Sequence, residues 1–274
     1  MFANLLIGLR EGLEAALVIG ILVAYLVKID RRDVLPKLWA GVGIAVLLSV
    51  GVGVILETGV GELEDTAEQI VAGALSFAAA GLVTWMVFWM AKTARNIKGH
   101  LEGDIDRNIG GAGWGLMFVA FLAVGREGIE TALFIWAAAS ATGESWLPLL
   151  GAVIGLGIAA LLGYLIYLGA IRLNLQSFFR WSGVFLIIVA AGVLSYAVHE
   201  WQEAGVLFGD ADKAFNVSAV IPADSWYGVL LRGTIGFTPK MSWLQVIAWI
   251  VYVGITLPLF LRMTRTTRSA SSNG

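Results

Sequence analysis

Six ionisable residues stand where the chain is otherwise apolar. Arg10-Glu11-Gly12-Leu13-Glu14 interrupts one hydrophobic run, and Arg126-Glu127-Gly128-Ile129-Glu130 interrupts another. Successive residues of an α-helix turn by about 100°. With Arg10 at zero, Glu14 falls near ~40° and Glu11 near ~100°, so the three share one face and Arg10 reaches Glu14 one turn on. Arg126, Glu127 and Glu130 repeat the pattern. An ionised side chain at the centre of a hydrocarbon-embedded helix costs about 2.5–3.5 kcal/mol on insertion scales. Both charged faces must therefore turn inward, toward one another. Four glutamates against two arginines leave a net negative charge, which a bound cation would complete. Carboxylate oxygens are hard ligands, suited to Mg²⁺, Ca²⁺, Mn²⁺ or ferric iron rather than Cu⁺. Each arginine can orient one carboxylate of its set from behind. Gly12 and Gly128 are expected to let the two helices approach closely. The competing reading is a purely structural Arg–Glu lock, against which the surplus carboxylates argue.

The elements that position these residues must be membrane-spanning helices. Of 274 residues, 58% are hydrophobic and 14% are charged. Soluble domains run near about 45–50% and about 25%. A water-soluble enzyme and a disordered chain are both excluded. Cysteine is absent and histidine occurs twice. That removes thiolate metal sites, iron–sulfur clusters and multi-histidine zinc or haem centres, so no bound redox cofactor is expected. A net charge of −2 excludes a basic nucleic-acid binder.

Seven apolar runs of spanning length lie near 3–27, 38–56, 69–91, 113–138, 147–170, 181–199 and 243–261. The first lacks the basic leader of a signal peptide and carries internal charges. Thirteen of the eighteen basic residues fall on one side, between spans one and two, three and four, five and six, and after span seven. The positive-inside rule then puts the N-terminus outside and the C-terminus in the cytoplasm of a multi-pass cell-membrane protein. Trp39, Trp146, Trp181 and Trp243 sit near span ends, as an aromatic belt requires. Carboxylates show the opposite bias, and an acidic outer face concentrates cations. Glu57, Glu62, Glu64 and Asp65 contribute to it, although a solvated acidic loop needs no further role. His199, Glu200 and Glu203 close span six, where His199 and Glu203 are one turn apart and could share an ion.

The charged pentapeptide recurs at an offset of 116 residues, and Ala79-Ala80-Gly81-Leu82-Val83 echoes in Ala190-Ala191-Gly192-Val193-Leu194 at an offset of 111. Three-helix units therefore repeat, over about 1–98 and about 113–205. Span one runs inward and span four outward, so the halves are inverted. The expected fold is all-α and integral to the membrane, one permease domain over 1–274. It has an inverted 3+3 core, an outer loop over about 202–240, and a seventh helix near 243–261. Inverted repeats build secondary transporters with the substrate site near the midplane, at the repeat interface.

The doubled R-E-G-[L/I]-E resembles the oxidase-dependent iron transporters, the fungal high-affinity iron permeases and bacterial EfeU-type permeases. The resemblance covers essentially the whole chain. It extends to Leu82-Val83-Thr84-Trp85-Met86-Val87-Phe88-Trp89-Met90 and to His199-Glu200-Trp201-Gln202-Glu203-Ala204-Gly205. It implies iron, Fe³⁺ or Fe²⁺, as the transported substrate, with Glu11, Glu14, Glu127 and Glu130 as its path. It also implies an acidic residue opening span three, best matched by Glu68. Any oxidation of iron would fall to a partner, a multicopper oxidase or periplasmic iron-handling proteins. The expectation is thus a permease rather than an enzyme. The competitors are a carrier of another cation such as Mn²⁺ or Pb²⁺ and an intramembrane acid–base enzyme built on paired glutamates.

Overall fold

In hydrocarbon no water satisfies a backbone N–H or C=O, so an apolar run must close its own hydrogen bonds as a helix. The computed structural model describes residues 2–61, 64–93, 114–142, 146–170, 174–209, 211–222 and 225–269. Among these, seven long helices form: α1 (Phe2–Lys28), α2 (Leu35–Gly61), α3 (Asp65–Thr93), α4 (Trp114–Thr142), α5 (Trp146–Tyr167), α6 (Leu175–Glu203), and α8 (Trp243–Ser269) after the short α7 (Trp226–Ile235). Most overrun their apolar stretches by several residues. A helix of 27–29 residues is about 40 Å long against a hydrocarbon core of about 30 Å, so its ends reach the interface. There Trp39, Trp146, Trp181 and Trp243 are all more than half exposed. Leu47, Val50 and Ile55 on α2, Leu161 on α5 and Ile250 on α8 also point outward. Apolar surface that continuous belongs against lipid.

Five helices, α2, α3, α5, α6 and α8, are long and apolar enough to cross a membrane. Helices α1 and α4 match them in length but hold the three charges of each motif. The turn from α1 to α2 is pinned by Arg31, whose Nε and Nη2 donate to the Asp33 carboxylate at 3.0 and 3.3 Å. That hydrogen bonding holds the Asp33 carboxyl below its ordinary range.

The helices pair across the chain rather than along it. Helix α1 lies along α5, α4 along α2, and α3 along α6, while α1 also meets α4 and α8 packs on α6. Two apolar clusters result. One joins Met86, Val87, Leu186, Ile187 and Phe260 of α3, α6 and α8. The other joins Leu22, Leu26, Leu38, Leu116 and Ala120 of α1, α2 and α4. The α1–α5 contact runs on small residues. A β-carbon on Gly155 would collide with the Leu5 carbonyl oxygen, and one on Gly12 would stand 2.7 Å from Ala159 Cβ.

The segment after α6 folds back on the bundle. Strands β1 (Lys213–Asn216) and β2 (Lys240–Ser242) form an antiparallel pair. Helix α7 is capped by the Ser225 hydroxyl, which accepts from the Gly228 amide at 3.1 Å, and it ends at Gly236 with φ +68°. Gly236 sits directly on Gly192 of α6, where neither backbone leaves room for a side chain. Ser242 Oγ donates to Gln202 Oε1 at 2.7 Å, and Gln202 Nε2 donates to the Phe208 carbonyl at 2.8 Å. Helix α7 thereby rests on α6, α4 and α1. The sequence left this loop's course open.

If close backbone approach holds α1 to α5, Gly155→Ala lowers stability by about 1–3 kcal/mol through overpacking. Gly157→Ala is the control, because nothing lies within 4 Å of a β-carbon there. Thermal unfolding of the detergent-purified chain compares the two. Equal midpoints would contradict the packing.

Candidate metal-permeation site

Both motifs adopt the geometry that helical spacing dictates. Arg10 Nε donates to Glu14 Oε1 at 3.2 Å, and Arg126 Nε donates to Glu130 Oε1 at 2.9 Å. The first pair is almost wholly enclosed, with side chains 1% and 8% exposed. In the second, Arg126 is 36% exposed. It lies over two indoles of α3, 5.3 Å from the Trp85 ring centroid and 4.8 Å from that of Trp89.

The charge balance of the motifs now has an address. Two arginines are taken up by Glu14 and Glu130, which leaves Glu11 and Glu127. Neither oxygen of Glu11 has a hydrogen-bond partner, nor has Oε2 of Glu127 or Oε2 of Glu130, and all four atoms are buried. Ligand oxygens of Glu11, Glu14 and Glu127 lie within 4.8 Å of one another, where α1 meets α4. Among the described residues this is the one group of three acidic or histidine side chains with metal-binding geometry. Carboxylates so close in a low-dielectric interior need positive charge between them, a shared proton or a metal ion. A divalent or trivalent cation supplies it, and three hard oxygens suit one. Glu130 stands outside the trio, held by Arg126.

The motif glycines do other work than expected. Gly12 faces Leu156 and Ala159 of α5, and a β-carbon on Gly128 would collide with the Ser49 hydroxyl of α2. They do not bring α1 and α4 together. The reason is angular: Gly12 lies about 200° from Arg10 around the helix, on the side away from the carboxylates. Each glycine seats the back of its motif helix and so aims the charged face inward.

The remaining acidic candidates gather nearer one end. A cleft of ≈ 410 Å³ is lined by Glu57, Asp65, Glu68, Gln69, Ser140, Tyr196 and Glu200, with Trp136 in its wall. Trp136 is six residues along α4 from Glu130, about 9 Å. Glu68 and Glu200 therefore share this cleft rather than the trio. His199 and Glu203 adjoin the cleft: His199 Nε2 meets Glu203 Oε1 at 3.3 Å, and Glu203 Oε2 accepts from Gln69 Nε2, of the cleft lining, at 3.3 Å. Glu62 and His100 lie outside the described residues. The sequence reading gave no role to Trp85, Trp89 or Ser49. Only the spacing of Trp85 and Trp89, one helical turn apart, hinted that they share a face.

Long apolar helices around a buried carboxylate cluster define a multi-pass membrane protein of the permease class. The chain belongs to the iron permease FTR1 family, whose model matches residues 1–269. It is 38% identical to the ferrous iron permease EfeU of Escherichia coli O6:H1, with 99% of each chain covered. The Shigella sonnei protein of the same name is also 38% identical over 99% of each chain. The Yersinia pestis one is 34% identical, over 99% of this chain and 97% of its own. No solved structure matches.

Removing a partner from a buried ion pair costs about 3–5 kcal/mol, because the other charge is left unpaired. Glu14 and Glu130 are both buried, so Arg10→Ala and Arg126→Ala are each expected to destabilise the chain by several kcal/mol. Denaturation of the two purified variants measures this, and a loss below about 1 kcal/mol in either, the size of a surface pair, would contradict the pairing.

Proposed function

We propose that this chain carries iron across the cytoplasmic membrane, with Glu11, Glu14 and Glu127 as the ligands of the central site and Glu130 adjoining them. One observation carries the reading: two carboxylates without cationic partners face each other in the bundle interior, with a third beside them. Family membership supports iron as the ion. The relatives' names specify ferrous iron, so Fe²⁺ is the form to supply first. The acidic cleft lined by Glu68 and Glu200 concentrates cations on the way to the site.

Six spans in an inverted 3+3 arrangement, followed by α8 as the seventh, make the best account of the helix pairing. Exchanging the two halves turns the α1–α5 contact into the α4–α2 contact and leaves α3–α6 and α1–α4 unchanged, which matches the principal contacts. The charge bias supports an N-terminus outside and a C-terminus in the cytoplasm. The chain has no cysteine and two histidines, so we assign any change in the oxidation state of iron to a separate oxidase or periplasmic partner. The protein itself acts as a carrier and not as an enzyme.

Glu14→Gln and Glu127→Gln keep size and remove charge. In proteoliposomes, each is expected to lower iron uptake per folded molecule by at least about tenfold, the equivalent of about 1.4 kcal/mol. Glu→Asp at either position is also expected to fail, since a shorter side chain withdraws a ligand oxygen. Normal flux per folded Glu14→Gln molecule would reduce the cluster to a structural lock. Competition by Mn²⁺ and Pb²⁺ in the same assay tests selectivity.

The orientation has its own check in this cysteine-free chain. In intact cells an impermeant thiol reagent is expected to label Phe208→Cys, a position 84% exposed, and to spare Asp33→Cys. The reverse pattern would invert the topology.

A further inference from the structure

The two motif copies share a sequence but not a setting. Arg10 is 1% exposed, and among the described residues no aromatic ring lies over it. Arg126 has two holds. Its Nε donates to Glu130, and its guanidinium lies within about 6 Å of two indole centroids, the range of a cation–π contact. Trp85 and Trp89 are themselves stacked, with centroids 6.2 Å apart and planes 24° apart. One helical turn separates them, so α3 presents both faces to α4 as a continuous shelf.

Glu130 is the motif carboxylate left out of the ligand trio. Its Oε1 is engaged by Arg126, and its Oε2 is buried without a partner. Glu14 reaches the trio while bound to Arg10, but Glu130 does not reach it from where Arg126 holds it, so Arg126 must give Glu130 up before it can move to a metal there. A guanidinium released inside a bundle has lost its counterion and has no water to replace it, which is costly. The indole faces remove much of that penalty because the guanidinium already rests on them. Arg10 has no such alternative, so Glu14 stays bound to it.

We propose that the stacked Trp85–Trp89 pair positions Arg126 and takes up its charge while Glu130 swings to the metal, which makes Glu130 the exchangeable ligand of the site. The two tryptophans are positioning residues, acting through Arg126 and never touching the ion. The asymmetry gives the site a fixed side, Glu11 and Glu14 on α1, and a releasing side on α4. This rests on the permeation-site reading above.

Fluorination tests it, because added fluorine drains the negative face of an indole while nearly preserving its shape. Mono-, di- and trifluorotryptophan are placed at 85 and 89 of the full chain. Uptake of Fe²⁺, kept reduced with ascorbate, is followed in proteoliposomes. The maximal rate per folded molecule is expected to fall stepwise with each fluorine, by about fivefold across the series, while half-saturation stays within twofold because the trio still captures the ion. Trp85→Phe/Trp89→Phe should retain an intermediate rate, and Trp85→Leu/Trp89→Leu should fall at least as far as the trifluoro protein. A maximal rate that is flat across the fluorine series would overturn the proposal, as would an effect confined to half-saturation. Glu14→Gln, run alongside, separates the two levels. Its failure to transport with a flat fluorine series removes the shelf alone. Its normal transport removes the permeation site beneath it.

Discussion

Two carboxylates without cationic partners, Glu11 and Glu127, are held against each other inside a bundle that faces hydrocarbon. Burying unpaired carboxylates in a low-dielectric interior carries a large free-energy penalty. The arginines offset it only in part, because each is spent on the glutamate one turn along its own helix. What remains is an electrostatic demand for a cation at one place. The surroundings keep that demand from relaxing: bulky apolar side chains fill the bundle to either side of the motifs, and lipid surrounds it.

Holding α1 and α4 in that position is the task of the cross-paired helices. Each motif helix is backed by a helix from the other half of the chain, α1 by α5 and α4 by α2. The glycine inside each motif marks the seam, at Ala159 for Gly12 and at Ser49 for Gly128. The two halves thus interlock, and neither can aim its carboxylates without the other. Close packing through small residues is the available device here, since lipid tails remove the hydrophobic drive that joins helices in water.

Much of this was legible in the sequence, because helical periodicity is local. The turn of about 100° per residue placed Arg10 on one face with Glu14 and Arg126 on one face with Glu130, as observed, and the apolar runs located the long helices among the described residues. Partner choice between helices is not local, so the backing role of Gly12 and Gly128 was missed. The same limit hid the indole shelf: Trp85 and Trp89 belong to α3, whereas Arg126 belongs to α4. Glu68 and Glu200 stood out in the sequence as acidic helix ends, but only the fold puts them in one cleft with Glu57 and Asp65. His199 and Glu203 pair with each other at the edge of that cleft, where Glu203 also accepts from Gln69 of its lining.

The central claim is that a metal ion binds where α1 and α4 meet. Anomalous diffraction at the iron absorption edge, from crystals of the full chain soaked in Fe²⁺ under reducing conditions, addresses it without relying on flux. The expected result is an anomalous peak within ligand distance of Glu11, Glu14 and Glu127, lost in Glu11→Gln/Glu127→Gln crystals. A peak confined to the acidic cleft around Glu68 and Glu200, with none between the helices, would contradict the account.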